Sequence, residues 1–406
     1  MKKLLQVFLI MVLSCSVLTL SGCDEGNTLY LLNWAEYIDE DLIALFEEEN
    51  DCRVVLDIAN SNEAMYSKIV SDAAPYDIAF PSDYMVGQMI ADNDGIGRVI
   101  QPIDFSKLSN YSTDPTNPKS TAKFNPEEGS ENQGLIDIIK KNDCLDLLDY
   151  AIPYFWGSLG IMYNTESLTE DQIATIEEKG WAVLFEPDLL GAGVKIGMYA
   201  SARDSIAAAL LYNGYSLNST NSNELKKAEE SLYKMNYHAW ATDDLKTGVA
   251  TGKYDVALVY SGDYFDVLYS AYDVPEGVEP NITFDMFAPS NNNVFFDAMV
   301  IPTNSRNTEL AYKFIDFMLD TEKIVIKEED GEEYEIIGVA EANAQYVGYC
   351  PTVYSVFSNM VSNPDFEGVA DLAVYNPGNI KNGEIYKYLG SSVYAEYDRI
   401  YKKVKK

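Results

Sequence analysis

The chain has 406 residues, 47% of them apolar and 12% aromatic, enough to bury a substantial core and to divide into two or three domains. Its 29 basic and 64 acidic residues leave a net charge of −35, which makes nucleic acid and anionic membrane surfaces poor partners. A single histidine, His238, leaves no second imidazole for a zinc site, and the absence of a P-loop or GxGxxG run gives nucleotide binding no support.

In chain order, Lys2 and Lys3 precede an uncharged apolar run from Leu4 to Leu20, and Leu-Ser-Gly then leads into Cys23. A basic start, an apolar middle and small residues before a cleavage point make residues 1–22 a secretory signal. The cysteine directly after that run makes it similar to a bacterial lipoprotein signal, with Cys23 as the acylated first residue and 23–27 as a tether. An ordinary signal or membrane anchor with a chance cysteine is the plainer alternative. Beyond the signal, Cys52, Cys144 and Cys350 are odd in number and widely spaced. They form neither a disulfide framework nor a zinc pattern, although one pair would be free to bridge.

β-like and helix-like segments then alternate, which predicts an α/β protein. Leu29–Leu32 reads as a short strand and 39–49 as a helix with Leu42, Ile43, Leu45 and Phe46 on one side. A strand over 52–59, a helix capped by Ser61 or Asn62, a strand over 76–81 and a helix opened by Ser82 or Asp83 follow. The polar stretch 101–149 reads as loop. The apolar run 150–164, with Pro153 and two glycines, is long enough to pass between two lobes. Further strands are expected at 194–199, 254–260, 282–288 and 297–302, with helices at 204–214, 221–236 and 307–319. Alternation around Asp330-Gly331 predicts a hairpin, and the amphipathic end from Gly383 predicts a helix.

Acids and aromatics gather just after strands, where loops line a cleft in α/β folds. Trp34, Ala35, Glu36 and Tyr37 follow the first strand, and Ser82 and Tyr84 follow the third. Ser201, Asp204 and Tyr260 follow later strands, and Phe295 and Asp297 immediately precede the apolar run Met299–Pro302. Singly, each has an ordinary explanation: Ser201-x-x-Asp204 fits a helix cap, and the aromatics fit a core. Together they suit a linear aliphatic amine. A buried ammonium needs carboxylates to offset its desolvation, aromatic faces attract the cation and shield methylenes, and hydroxyls accept its remaining protons.

The runs LYLLNWAEYI, YDIAFPSDYMVGQM, IPYFWGSLGIMYN, ARDSIAAALLYNGYS, DAMVIPTNSRNTELAYKFIDFML, VGYCPT and IKNGEIY occur in this order from about residue 28. In them the chain resembles the spermidine/putrescine-binding proteins of bacterial ABC importers. The resemblance implies a type II periplasmic-binding-protein-like fold with a ligand cleft between discontinuous lobes, expected as 28–156 with 297–345 and 157–296 with 346–406. It implies capture without catalysis and without a cofactor or metal. Implied partners are a polyamine, a membrane permease with its ATPase, and a membrane through the lipid anchor; the chain itself is expected to be monomeric, and its place is outside the cytoplasmic membrane.

The resemblance also carries ligand positions across. Trp34, Ala35, Glu36 and Tyr37 fall on the family's aromatic-acid turn, and Ser82 and Tyr84 on its PS-x-Y motif. Asp204 stands for a family glutamate, and Asp297 matches the aspartate that meets an amine. Tyr260 and Phe295 replace tryptophans, Tyr349 matches a ligand-contacting tyrosine, and Tyr386 stands where the family can have glutamine. Ser201 replaces an aspartate, which leaves putrescine or another small cation competing with spermidine. Hinges are expected near Trp156–Ser158 and Phe295–Asp297. A sugar ligand in the same fold, a hydrolase using Glu36 and Asp297, and a surface adhesin are the alternatives.

Overall fold

The computed structural model describes residues 27–405 except 72–73, 92–94, 112–123, 125–132, 273, 276–277, 323, 328–332 and 363–373. The signal, Cys23 and most of the tether lie outside the described residues, as do the Asp330-Gly331 turn and most of the polar stretch 112–132. Three strands near the start, β1 (Thr28–Asn33), β2 (Arg53–Ile58) and β3 (Ile78–Ala79), form a parallel sheet of order β2-β1-β3. A helix follows each one, at Glu40–Asn50, Asn62–Val70 and Asp83–Ile90. Asp39 and Ser61 cap the first two by accepting from the amides of Asp41 and Ala64.

Next in the chain come β4 (Ile152–Asn164), β5 (Ile196–Tyr199), β6 (Ala239–Ala241), β7 (Val256–Tyr260), β8 (Phe284–Phe287) and β9 (Asn291–Met299). Every one of the thirteen residues of β4 is buried, as its unbroken apolar run requires. Its first half pairs antiparallel with β9, from Ile152 opposite Met299 to Ser158 opposite Val294. Its second half pairs with β7 and β8, while β5 lies parallel to β7 and β6. Isolated bridges from Ala79 to Val300 and from Ser82 to Asp297 join the end of β3 to the end of β9. β4 is therefore shared between a pairing with β9 and one with β7 and β8, and the bridges bring the end of β3 to the end of β9.

The hairpin β10 (Ile324–Lys327) and β11 (Glu333–Ile336) forms as the alternation predicts. After it, β12 (Cys350–Pro351) pairs with β4, and β13 (Asn382–Glu384) runs parallel to β9. The final helix, Ser391–Val404, packs on Ala202–Tyr212 and Ser222–Tyr233. Asp77, fully buried, fastens the loop after β9 to β1. It accepts hydrogen bonds from the Tyr30 amide, the Ser305 hydroxyl and the amides of Arg306 and Asn307.

Some expectations need correction. β9 begins at Asn291, six residues before the expected strand start. Asn292 and Asn293 are fully buried there; the Asn292 amide donates to the Leu159 carbonyl at 2.6 Å and its oxygen accepts from the Asn293 amide at 2.8 Å, which lets that side chain sit inside the sheet. The stretch 101–149 is not all loop, since it holds a helix at Leu135–Lys141. Residues 383–390 are strand and extended chain, and the terminal helix starts only at Ser391. Helices at Glu170–Lys179, Ser261–Tyr272, Val339–Val347 and Tyr354–Ser362 were not expected. Cys52, Cys144 and Cys350 are all free thiols.

Candidate ligand site

Strand alternation places Phe295 and Asp297 on one face of β9. Asp297 is buried, and both of its oxygens are held by hydroxyls. The Tyr37 phenol donates to Oδ2 at 2.6 Å, and the Ser82 hydroxyl donates to Oδ1 at 2.6 Å. Ser82 stands at the N-cap of Asp83–Ile90 but makes no side-chain cap bond, so its hydroxyl is spent on Asp297 instead. Asn62 fixes that hydroxyl, with Nδ2 donating to Oγ and Oδ1 accepting from the Ser82 amide, each at 3.0 Å. Among the described residues, no lysine or arginine forms an ion pair with Asp297. Burial pushes its carboxyl up to about 6, against the lowering influence of the Ser82 and Tyr37 bonds and the field of Arg203.

A wall of rings leads away from that carboxylate. Tyr37 meets Tyr349 edge-on at 5.4 Å, Tyr349 meets Phe295 at 6.3 Å, and Phe295 meets Tyr260 at 5.1 Å. These T-shaped contacts match the quadrupole preference of aromatic rings. Two glycines make room for them. A Cβ on Gly157 would lie 2.8 Å from the Phe295 ring, and one on Gly262 would lie 1.8 Å from the Tyr349 ring. Trp34 lies at the same turn as Tyr37, with its indole nitrogen donating to the Phe80 carbonyl at 2.7 Å.

At the far end of the wall stands a second carboxylate, Asp204, at the start of the helix Ala202–Tyr212. Ser201 caps this helix by accepting from the Asp204 amide, but Asp204 does not complete the box. Its Oδ1 turns instead toward the cleft, accepting from the Tyr260 phenol at 2.8 Å and from Arg203 Nε at 3.2 Å. Burial acts to raise the Asp204 pKa, but the Arg203 guanidinium and the bonds from Ser201 and Tyr260 outweigh it and hold the carboxyl below its ordinary value. The guanidinium lies 3.9 Å from the centre of the Tyr84 ring and 4.4 Å from that of Tyr386. Tyr84 lies in the helix Asp83–Ile90 and donates from its phenol to Glu63 at 2.9 Å. Arg203 thus joins the start of the helix Ala202–Tyr212 to the start of Asp83–Ile90.

The structure brings together Trp34, Tyr37, Ser82, Tyr84, Ser201, Asp204, Tyr260, Phe295, Asp297, Tyr349 and Tyr386. Ala35 and Glu36 lie on the same turn but are exposed, and Glu36 takes a left-handed backbone, with φ at +53°. Burial, and then the charges of Asp39, Glu36, Glu40 and Asp41, raise the pKa of the exposed Tyr346 phenol nearby. Sequence reasoning missed Arg203, Asn62 and Glu63. Arg203 sits between two expected site residues, but a basic residue next to an acid in a first helical turn reads as a solvated pair. Asn62 and Glu63 read as helix-start residues.

A model of the bacterial extracellular solute-binding proteins matches residues 41–327. The spermidine/putrescine-binding periplasmic protein of Escherichia coli (strain K12) is 29% identical over 391 residues, covering 94% of this chain and 92% of that protein. The putrescine-binding periplasmic protein SpuD of Pseudomonas aeruginosa (strain UCBPP-PA14) is 28% identical, covering 79% and 82%. Among solved structures, a putative spermidine/putrescine ABC transporter from Listeria monocytogenes superposes with a TM-score of 0.68 at 29% identity, over 93% of this chain and 99% of that one. The spermidine/putrescine substrate-binding protein PotD of Streptococcus pneumoniae gives 0.65 at 26% identity, over 93% and 98%.

Proposed function

The chain belongs to the bacterial extracellular solute-binding proteins, and from that premise we propose that it captures an aliphatic polyamine and delivers it to an ABC import permease. Relatives that match over most of their length bear spermidine/putrescine-binding names. The observation that carries the reading is Asp297, a buried carboxylate that among the described residues is served only by hydroxyl side chains. A carboxylate removed from water without a cation is costly, and a ligand ammonium would supply that cation. The tyrosine and phenylalanine wall would shield the ligand's methylenes, as at other cation sites bounded by aromatic faces.

Capture requires no bond to be made or broken. The lobes, taken as 28–156 with 297–345 and 157–296 with 346–406, open by bending at Trp156–Ser158 and Phe295–Asp297, and ligand favours closure by its higher affinity for the closed form. Acylation of Cys23 tethers the monomeric protein to the outer side of the cytoplasmic membrane, where the closed complex meets a permease driven by its ATPase. Calorimetric titration of protein lacking residues 1–23 with putrescine, spermidine and cadaverine tests the reading. Submillimolar binding that Asp297→Asn weakens at least about 100-fold is the expected result. An absence of binding heat for every amine, from protein that melts cooperatively, would leave only the fold.

A further inference from the structure

Asn293 is fully buried in β9, and the two ends of its side chain fare differently. Its Nδ2 donates to the Glu384 carbonyl at 3.3 Å, which fixes which end of the amide is oxygen. Among the described residues, its Oδ1 has no hydrogen-bond partner. An acceptor buried without a donor is costly, and a donor brought by a ligand would recover that cost. Strand alternation puts Asn293 on the face of β9 that carries Phe295 and Asp297. The neighbouring strand agrees with this. Glu384 of β13 lies beside Asn293, and Tyr386, two residues on, is a ring over Arg203 at the far end of the aromatic wall. Ser158 Oγ is also buried without a partner among the described residues, but Ser158 lies opposite Val294, on the other face of β9. Asn293 is not among the ligand positions that the family resemblance carries across.

Asp297 and Asn293 thus mark two points on one row of β9. The strand rise sets them about 13 Å apart, with Phe295 between them. One point is a carboxylate held by hydroxyls, and the other is a neutral oxygen without a donor. A diamine such as putrescine covers about half of that span, so with one ammonium at Asp297 its second nitrogen stops short of Asn293. The extended chain of spermidine covers most of the span, and a hydrogen bond at each end supplies the rest. We infer that Asn293 is a further ligand-binding residue, whose Oδ1 accepts a hydrogen bond from the far ammonium of a linear triamine held at Asp297 by its near one. The inference rests on the amine-capture reading and, within the polyamines, selects spermidine over putrescine. An acceptor that only the longer chain reaches discriminates by length, because the shorter chain leaves it unpaired.

The test is calorimetric titration of wild type, Asn293→Leu and Asn293→Asp with spermidine, N-propylputrescine and putrescine. N-propylputrescine keeps the chain of spermidine but not its far ammonium. Wild type is expected to bind spermidine at least about tenfold tighter than either of the others. Asn293→Leu keeps the side-chain volume but not the acceptor, and is expected to bring spermidine to within about threefold of N-propylputrescine. A preference that came from the net negative charge of the whole protein would survive that substitution. Asn293→Asp keeps the oxygen and adds charge, so it is expected to widen the preference for spermidine; it carries the test where Asn293→Leu does not fold. Three results overturn the inference and leave amine capture standing: wild type that binds spermidine no tighter than N-propylputrescine, a preference that Asn293→Leu leaves intact, and one that Asn293→Asp narrows. An equal loss of putrescine and spermidine affinity in Asn293→Leu also overturns it, as the mark of a purely structural role. A wild type that melts cooperatively but binds none of the three amines overturns both.

Discussion

Asp297 and Asp204 are two buried aspartates at opposite ends of one aromatic wall, and they differ in what the chain gives them. Asp204 has a covalently attached cation, and the Arg203 guanidinium beside it keeps its carboxyl ionised. Among the described residues, Asp297 has only the side-chain hydroxyls of Tyr37 and Ser82, and burial raises its pKa to about 6. The first arrangement is structural in its effect, because it ties the helix Ala202–Tyr212 to the helix Asp83–Ile90 through Arg203 and Tyr84. The second is a deficit left in the fold. Deficits of this kind mark places where a protein gives up stability for binding.

The largest expected effect is on affinity: Asp297→Asn should weaken amine binding by about 100-fold or more, measured by calorimetry. The same substitution should leave the ligand-free protein more stable at pH 7 by about 1–3 kcal/mol in urea unfolding, because an unpaired buried charge is removed. Asp204→Asn should do the reverse to stability, costing about 3 kcal/mol by stranding the Arg203 guanidinium. Equal stability changes of the same sign would break the distinction between the two ends.

The two carboxylates should also differ in pH response. A carboxyl with a raised folded-state pKa gives stability that is fully present below its unfolded value near 3.8 and is lost as pH rises through about 6. The melting temperature of wild type relative to Asp297→Asn should therefore fall between pH 4 and pH 7. Asp204, whose folded pKa is depressed, contributes stability present above the ordinary carboxylate range and lost as pH falls below it. The smallest effect is that of Tyr84→Phe. It keeps the ring over Arg203 and gives up only the bond to Glu63, so a loss of about 1 kcal/mol is expected in the same unfolding assay.

Much of the Asp297 end was legible from sequence. Short polar and aromatic residues directly after apolar runs mark strand ends, which is where Trp34, Tyr37 and Ser82 fall. The role of Ser82 was not legible, because a serine before a helix reads as a cap, and only the fold shows its hydroxyl spent on Asp297. Arg203 was hidden for a related reason. Sequence alone does not show that this arginine turns into a box made by Tyr84 and Tyr386, residues 119 and 183 positions away in the chain. The early start of β9 was masked by three asparagines, a composition typical of loops; Asn292 and Asn293 are here buried, and the Asn292 side chain is hydrogen-bonded at both ends. The helix Ser261–Tyr272 was missed because its tyrosines and phenylalanine favour strands and it has no clear cap signal.

The central claim is that Asp297 is the carboxylate that takes a ligand's ammonium. It is tested most directly by proton release on amine binding at pH 6, from calorimetry of wild type and Asp297→Asn in buffers of different ionisation enthalpy. A carboxyl with a pKa of about 6 is half protonated there, and an arriving ammonium lowers that pKa. The account predicts release of about 0.5 proton per ligand from wild type, and none from any binding that Asp297→Asn retains. Binding to wild type with no proton released, or equal release from both proteins, would place the ammonium elsewhere and contradict the account.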